Sequence, residues 1–469
     1  MLQFNISKKA NINYLAKIVN ITSFSKHPNP EVTKMKVAHI GGYSISVGIN
    51  EPEGYYIYFP TMSQIHAELL EYLNLYAKPE MNRDATAKPG FFDKNGRVKA
   101  IKLKGYPSEG FLLPYESLNN WVVDSVNQEL PKPEDGVEFD EIVDGDKSFW
   151  VCRKYIVRQQ GSSHPYDRRS RYDKGLKRFD KIIENQFRFH YETEMLRKNP
   201  TVIKPNDIIQ ISIKIHGTSG ISAYILCNKP LNWKEKIAKW LTKYTFPIYD
   251  HIYASRKVIK NRYINPTVNN EYYGSDDFRV IADRELRPFI TKGLTLYYEI
   301  VGYTTDNKYI QKEYDYGCRP LKDLKSDGVT LKEAYAEGIN YKIYIYRITY
   351  TNVDGVVQEF SARAVQNWCN KNGLRPVTEL YYGYAKDLYP DLNTQEHWNE
   401  NFLERLANDK NFYMEERSPD CVNNVPHEGV VIRIEDNVAH AFKLKCFNFL
   451  QGVDEKNADL GIEDMESAN

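Results

Sequence analysis

The chain has 469 residues, 42% of them apolar and 27% charged, with a formal net charge of +1. That length suits two or three domains, and the balance is that of a globular protein. Near-zero net charge excludes recognition of a polyanion by overall charge, so any nucleic-acid surface must be local. The six cysteines (Cys152, Cys227, Cys318, Cys369, Cys421 and Cys446) form no CxxC pair. They argue against a zinc site or disulfide framework and fit a reducing cytosol. No signal peptide and no membrane-length apolar run is visible, so a cytoplasmic protein is expected. The 36 tyrosines suit half-buried surfaces and base stacking, although compositional drift explains them equally well.

Residues 1–125 read as a β-rich module. NYLAKIVNI, KMKVAHI, YSISVGI and GYYIYFP are short strand-like runs separated by the turn signals HPNP, GG and NEPEG. QIHAELLEYLNLYA interrupts them with helical spacing, and NGRVKAIKLKG and GFLLP return to strand. Short strands with one helix predict a small OB-like β-barrel. Residues 126–180 read as a connector, with the densest basic stretch of the chain between Arg153 and Arg178; its contact with nucleic acid is an even bet against simple solvation.

From 181 to 450 strands and helices alternate. IIQISIKIHGTS, LTLYYEIVG, YKIYIYRITY, GVVIRI and HAFKLK read as strands, and LNWKEKIAKWLTKY, SARAVQNWCNKNG and TQEHWNENFLERLAND as helices. The whole is predicted to be α+β, with the OB-like barrel followed by a domain of antiparallel sheets. Residues 451–469 read as an acidic, disordered tail.

The chemistry-bearing run starts at Lys214-Ile215-His216-Gly217-Thr218-Ser219, at the end of an apolar strand. A lysine is a nucleophile only when neutral, which burial and nearby cations favour. Gly217 would let a nucleotide approach closely. Ser255-Arg256-Lys257 offers cations, Glu299 and Glu428 stand at strand ends, and Lys443 and Lys445 share one strand face. Attack on a nucleotide α-phosphate needs these parts: carboxylates to hold a metal and cations to neutralise charge. A strand-end glutamate or alternating lysines alone are ordinarily a wet sheet face. Their ordered combination is harder to obtain by accident.

KxxG, SRK, YEIVG, YxYRI, EGVVIR and KLK, in that order, resemble the motifs of the covalent nucleotidyltransferase superfamily of polynucleotide ligases and capping enzymes. The fit is best to RNA ligases with an N-terminal OB domain, the fifth RNA ligase family (Deinococcus-type). EIVGYTTDNKYIQ, YDYGC, HPNPEVTKMKVA, YFPTMSQI, GRVKAIKLKG and SEGFLLP are also similar to that group. The resemblance implies a ligase/ATP-grasp-like adenylyltransferase domain over 181–450. It implies that Lys214 carries AMP from ATP, that Arg256 contacts ribose or phosphate and that Glu299 binds ribose. Tyr346 would stack on adenine, Glu428 would help hold Mg2+ or Mn2+, and Lys443 and Lys445 would contact the ATP phosphates. Arg347 stands where related ligases often have aspartate, which leaves its role open.

The implied reaction joins a 3′-hydroxyl to a 5′-phosphate, at nicks in duplex RNA, through lysyl-AMP and an AMP-capped end. Lys99, Lys102 and Lys104 alternate and are candidates for phosphate contact, with a wet strand face as the ordinary alternative. The short stretch after Lys445 leaves no room for a C-terminal OB domain, which counts against a DNA ligase or capping-type guanylyltransferase. A non-catalytic OB-fold RNA- or tRNA-binding protein is the reading of another class. No membrane partner is expected, and the oligomeric state is open, with a monomer favoured.

Overall fold

The structure, a computed structural model, describes residues 2–156, 182–228, 231–242, 247–256, 258–259, 277–327, 339–436 and 440–459. The second part of the expected basic connector (157–180), Lys257 and the last ten residues of the tail lie outside the described residues.

The N-terminal strands do not close into a barrel among the described residues. Their central sheet has four antiparallel strands in the order Phe111–Pro114, Gly54–Phe59, Ala16–Ile21 and Glu138–Phe139. Side chains alternate along these strands, and both faces are apolar. Ile18, Ile57 and Phe59 pack on the helix Tyr115–Val126, whereas Val19, Tyr56 and Tyr58 pack on the hairpin of Met35–Ile40 and Tyr43–Gly48. A barrel encloses one inner face. Here each face of the sheet needs its own cover, so the hairpin stacks as a layer instead of continuing the ladder.

The first part of the expected connector belongs to this module. Glu138–Phe139 joins the central sheet, Glu141–Asp144 pairs with Gln3–Asn5 and Lys147–Trp150, and Cys152–Lys154 pairs with Ser63–Ile65.

The following domain is built on two five-stranded sheets. One has the order Glu194–Met195, His440–Lys445, Gly429–Ile434, Ile208–Ile213, Glu379–Tyr384 and is antiparallel except at its first pair. The other has the order Pro247–Ala254, Thr218–Asn228, Leu294–Gly302, Tyr341–Thr351, Val357–Glu359 and is antiparallel throughout. The chain passes from one sheet to the other at residues 214–217, where the KxxG run sits.

In the first sheet the two-residue period sorts the side chains. Ile209, Ile211, Val430, Ile432, Phe442 and Leu444 enter the main core. Gln210, Ser212, Val431, Arg433, Ala441 and Lys443 face a cavity between the sheets.

Residues 451–459, expected as the start of a disordered tail, are helical. Phe447–Phe449 leads into a π-helical turn, Leu450–Glu455, and then Lys456–Asp459. Phe447 and Leu450 cluster with Ala100 of the N-terminal module. All six cysteines are buried and free. Among the described residues, no helix is long and apolar enough to cross a membrane.

Gly429 has φ +129°, and a Cβ there would lie 2.1 Å from the Leu444 carbonyl oxygen. Gly429→Ala is therefore expected to lose at least about 2 kcal/mol of stability. The check is a lower denaturant midpoint at unchanged m.

Candidate active site

Strand register brings the distant motifs together. Gly429 pairs with Lys445, and the Lys214 N–H donates to the Gly429 carbonyl at 2.9 Å. One row across the sheet therefore holds Lys214, Gly429 and Lys445, with Glu428 beside it. Lys214 Nζ lies 2.7 Å from Glu428 Oε1, Lys445 Nζ lies 3.6 Å from the same oxygen, and His216 Nδ1 lies 3.5 Å from Oε2. The Glu428 side chain is only 2% exposed. Burial opposes its ionisation, but Lys214, His216 and Lys445 prevail and hold its pKa down at about 2.

The backbone of the KxxG run is clamped. The His216 N–H donates to Tyr316 Oη, whose hydroxyl donates back to the His216 carbonyl, each at 3.0 Å. Gln311 Nε2 donates to the Gly217 carbonyl at 2.7 Å, and Arg279 donates to Thr218 Oγ1 at 2.6 Å. A Cβ on Gly217 would lie 2.5 Å from the Ile300 carbonyl oxygen. The glycine thus makes room for the strand Leu294–Gly302, and it does not line the cavity.

The cavity beside Lys214 encloses about 890 Å3 of open space, including solvent at its mouth. Arg256, Glu299, Tyr346 and Lys443 line it, as does Arg347. Glu299 accepts from Ser219 Oγ at 3.2 Å. Tyr346 reaches the cavity through a β-bulge. Tyr297 pairs with Arg347, but Tyr298 pairs with Ile345, which leaves Tyr346 as the extra residue. A bulge re-aims side chains, so Tyr346 and Arg347 face the same space although adjacent. Burial, then Glu299, pushes the Tyr346 hydroxyl pKa up, so the ring stays neutral. Arg347 makes two 2.9 Å bonds to Glu359 and lies over the rings of Tyr191 and Tyr297. Those contacts assign it to a wall of the cavity.

Sequence reasoning missed the segment His190–Thr193, which lies just beyond the undescribed part of the connector. His190, Tyr191 and Thr193 line the cavity, and Glu192 pairs with Arg256 at 2.9 Å and with Lys443 at 3.5 Å. No spacing marked these residues; the one available signal was FHYE beside a basic stretch. Arg433, inside the quoted EGVVIR, also lines the cavity and was given no role.

The three lysines of the N-terminal module do not alternate on one strand. The strand is Ala100–Leu103, so only Lys102 belongs to it. Lys99 precedes the strand and pairs with Asp93 at 2.7 Å, and Lys104 turns out of it at φ +51°. Lys102 lies over the Phe447 ring.

No family model and no curated protein matches this sequence. Solved structures do match its fold. A point mutant of Naegleria gruberi RNA ligase with AMP and Mn aligns at TM-score 0.51 and 14% identity, over 94% of this chain and 99% of that one. A second, apo mutant of the same ligase gives TM-score 0.51 and 13% identity, covering 95% and 99%. A third, with ATP and Mn, gives TM-score 0.50 and 13% identity, covering 94% and 99%. The chain has the fold of that RNA ligase. The likeness extends through the N-terminal module as well as the two-sheet domain.

His427, next to Glu428, is buried with neither ring nitrogen hydrogen-bonded. Burial lowers its pKa to about 4, with Lys214 adding to the fall and Glu428 opposing it. The unfolded chain takes up this proton near pH 6.5. Stability contributed by the neutral ring is therefore full above pH 6.5 and declines as pH falls toward 4. His427→Phe is expected to flatten the pH dependence of unfolding free energy between pH 7 and 4.5 by roughly 2–3 kcal/mol. Denaturant titrations at several pH values measure this.

Proposed function

We propose that this protein is an ATP-dependent RNA ligase that carries AMP on Lys214 Nζ. The observation that carries the reading is the position of Lys214. Lys214 lines a cavity open to solvent whose walls also hold an aromatic ring, Tyr346, and two cations, Arg256 and Lys443. The RNA ligase fold and the ordered motifs support the same reading.

In the first step Lys214 Nζ bonds to the α-phosphorus of ATP and the bond to the β-phosphate oxygen breaks, releasing pyrophosphate. Tyr346 stacks on the base, and Glu299 takes the ribose. Arg256 and Lys443 meet the phosphates and give up Glu192 to them. AMP then passes to a 5′-phosphate, and a 3′-hydroxyl displaces it. The fifth RNA ligase family resemblance supports nicked duplex RNA as substrate. Lys102 and Lys104 on the module are candidates for its backbone.

The chemistry also calls for a divalent ion, Mg2+ or Mn2+. Among the described residues, no cluster of three or more His, Cys, Asp or Glu side chains forms a cage for one. An ion of this class takes one or two carboxylates and completes its shell with phosphates and water. Glu428 fits: it is ionised, and its buried Oε2 makes no hydrogen bond within normal distance. Bound there, the ion would supply positive charge that competes for Glu428 and favours the neutral Lys214 amine.

Incubation with ATP labelled at the α-phosphate should label the wild-type protein, with the label lost in Lys214→Ala and absent with labelled GTP. Absence of label on wild type, with no AMP already attached by mass spectrometry, would overturn the reading. Tyr346→Phe is expected to keep ATP affinity, whereas Tyr346→Ala should weaken it about tenfold or more, because base stacking contributes roughly 1–3 kcal/mol. On nicked duplexes, a ribose at the 3′-hydroxyl end should seal faster than a deoxyribose; equal rates would refute the RNA preference.

A further inference from the structure

Two adjacent acidic residues of the π-helical turn grip opposite partners. Asp454 Oδ2 lies 2.9 Å from Lys445 Nζ. That amine also lies 3.6 Å from Glu428 and belongs to the row that holds Lys214. Glu455 reaches the N-terminal module. Its carboxylate lies 3.0 Å from Arg97 and accepts from the Ala100 N–H at 2.7 Å, and both charged side chains are buried. Phe447, Leu450 and Ala100 form an apolar cluster under the same turn. Ion pairs this far from water are held in one geometry by their surroundings, and they move only with the elements that carry them.

We infer that Asp454 is a positioning residue for Lys445, and that Glu455 couples this positioning to the seating of the N-terminal module. The inference rests on the ligase reading above and deepens it. Lys445 shares Glu428 Oε1 with Lys214, so where its charge sits sets the surroundings of the nucleophile, and a long flexible side chain needs a fixed partner to stay there. Asp454 is that partner, and Glu455 ties its backbone to Arg97. The module thus acts on the first chemical step, the adenylation of Lys214, in addition to any grip on the polynucleotide.

The test is single-turnover labelling of the full chain with ATP labelled at the α-phosphate. Amplitude reports the fraction of competent molecules, and the rate constant at saturating ATP reports the geometry within them. Asp454→Asn should lower the rate constant about tenfold or more at near wild-type amplitude. Asp454→Glu should recover part of the loss. Arg97→Glu leaves two buried acids and is expected to fold poorly, so the decisive variant is the charge exchange Arg97→Glu with Glu455→Arg, which should recover amplitude and most of the rate. A double variant, Arg97→Met with Glu455→Gln, should slow labelling while retaining amplitude. Wild-type rate constants in both Asp454→Asn and the Arg97→Met, Glu455→Gln protein would overturn the inference and leave the ligase reading standing. If wild type itself takes no label and carries no AMP, the ligase reading fails and the inference falls with it.

Discussion

Glu428 is an ionised carboxylate in an interior almost without water, and such a charge persists only when cations surround it. Lys214 and Lys445 do so, from positions far apart in sequence, with the His216 ring beside them. Much of the surrounding architecture serves to keep these groups in register. The Lys214–Gly429–Lys445 row sets where the lysines stand, Tyr316 and Gln311 clamp the turn that carries Lys214 and His216, and Gly429 lets the strands approach without a side chain in the way. The stability of the charge cluster and the chemistry proposed for it have the same origin.

Much of the two-sheet domain was legible in the sequence because its strands are long and apolar. LTLYYEIVG coincides with the strand Leu294–Gly302, and GVVIRI and HAFKLK with the strands of the central row. Alternation set Lys443 on the face away from the core, and it is a buried polar residue on the cavity side; Arg433, on the neighbouring strand, follows the same period without having been singled out. Arg256, Glu299, Tyr346, Lys443 and Lys214, singled out along the chain, line a common cavity.

What escaped the sequence was set by partners distant in the chain. The helix Tyr115–Val126 begins directly after Pro114, and its apolar spacing was hidden behind the strand that precedes it. The strands between 138 and 154 are only two to four residues long; they form against Ala16–Ile21, the first residues of the chain and Ser63–Ile65, partners far away in sequence. Acidic composition gave the residues after 450 the look of solvent-loving chain. Arg97 and Lys445 supply the cations that order Asp454 and Glu455 there, and neither partner can be inferred from local sequence. Glu192 was missed for a similar reason, since its two cations, Arg256 and Lys443, come from distant parts of the chain.

The bulge at Tyr346 makes the cavity depend on residue count as well as residue type. With Tyr346 present as an extra residue, the strand offers an aromatic ring and then a guanidinium to the same space. Delete one residue of the run Ile345–Arg347 and the ladder runs straight, returning to strict alternation. Only one of two neighbouring side chains would then face inward. A change in strand length at this point would therefore reshape the cavity even if every remaining side chain were kept, so comparisons of related chains at this site should align the bulge before they compare the aromatic residue.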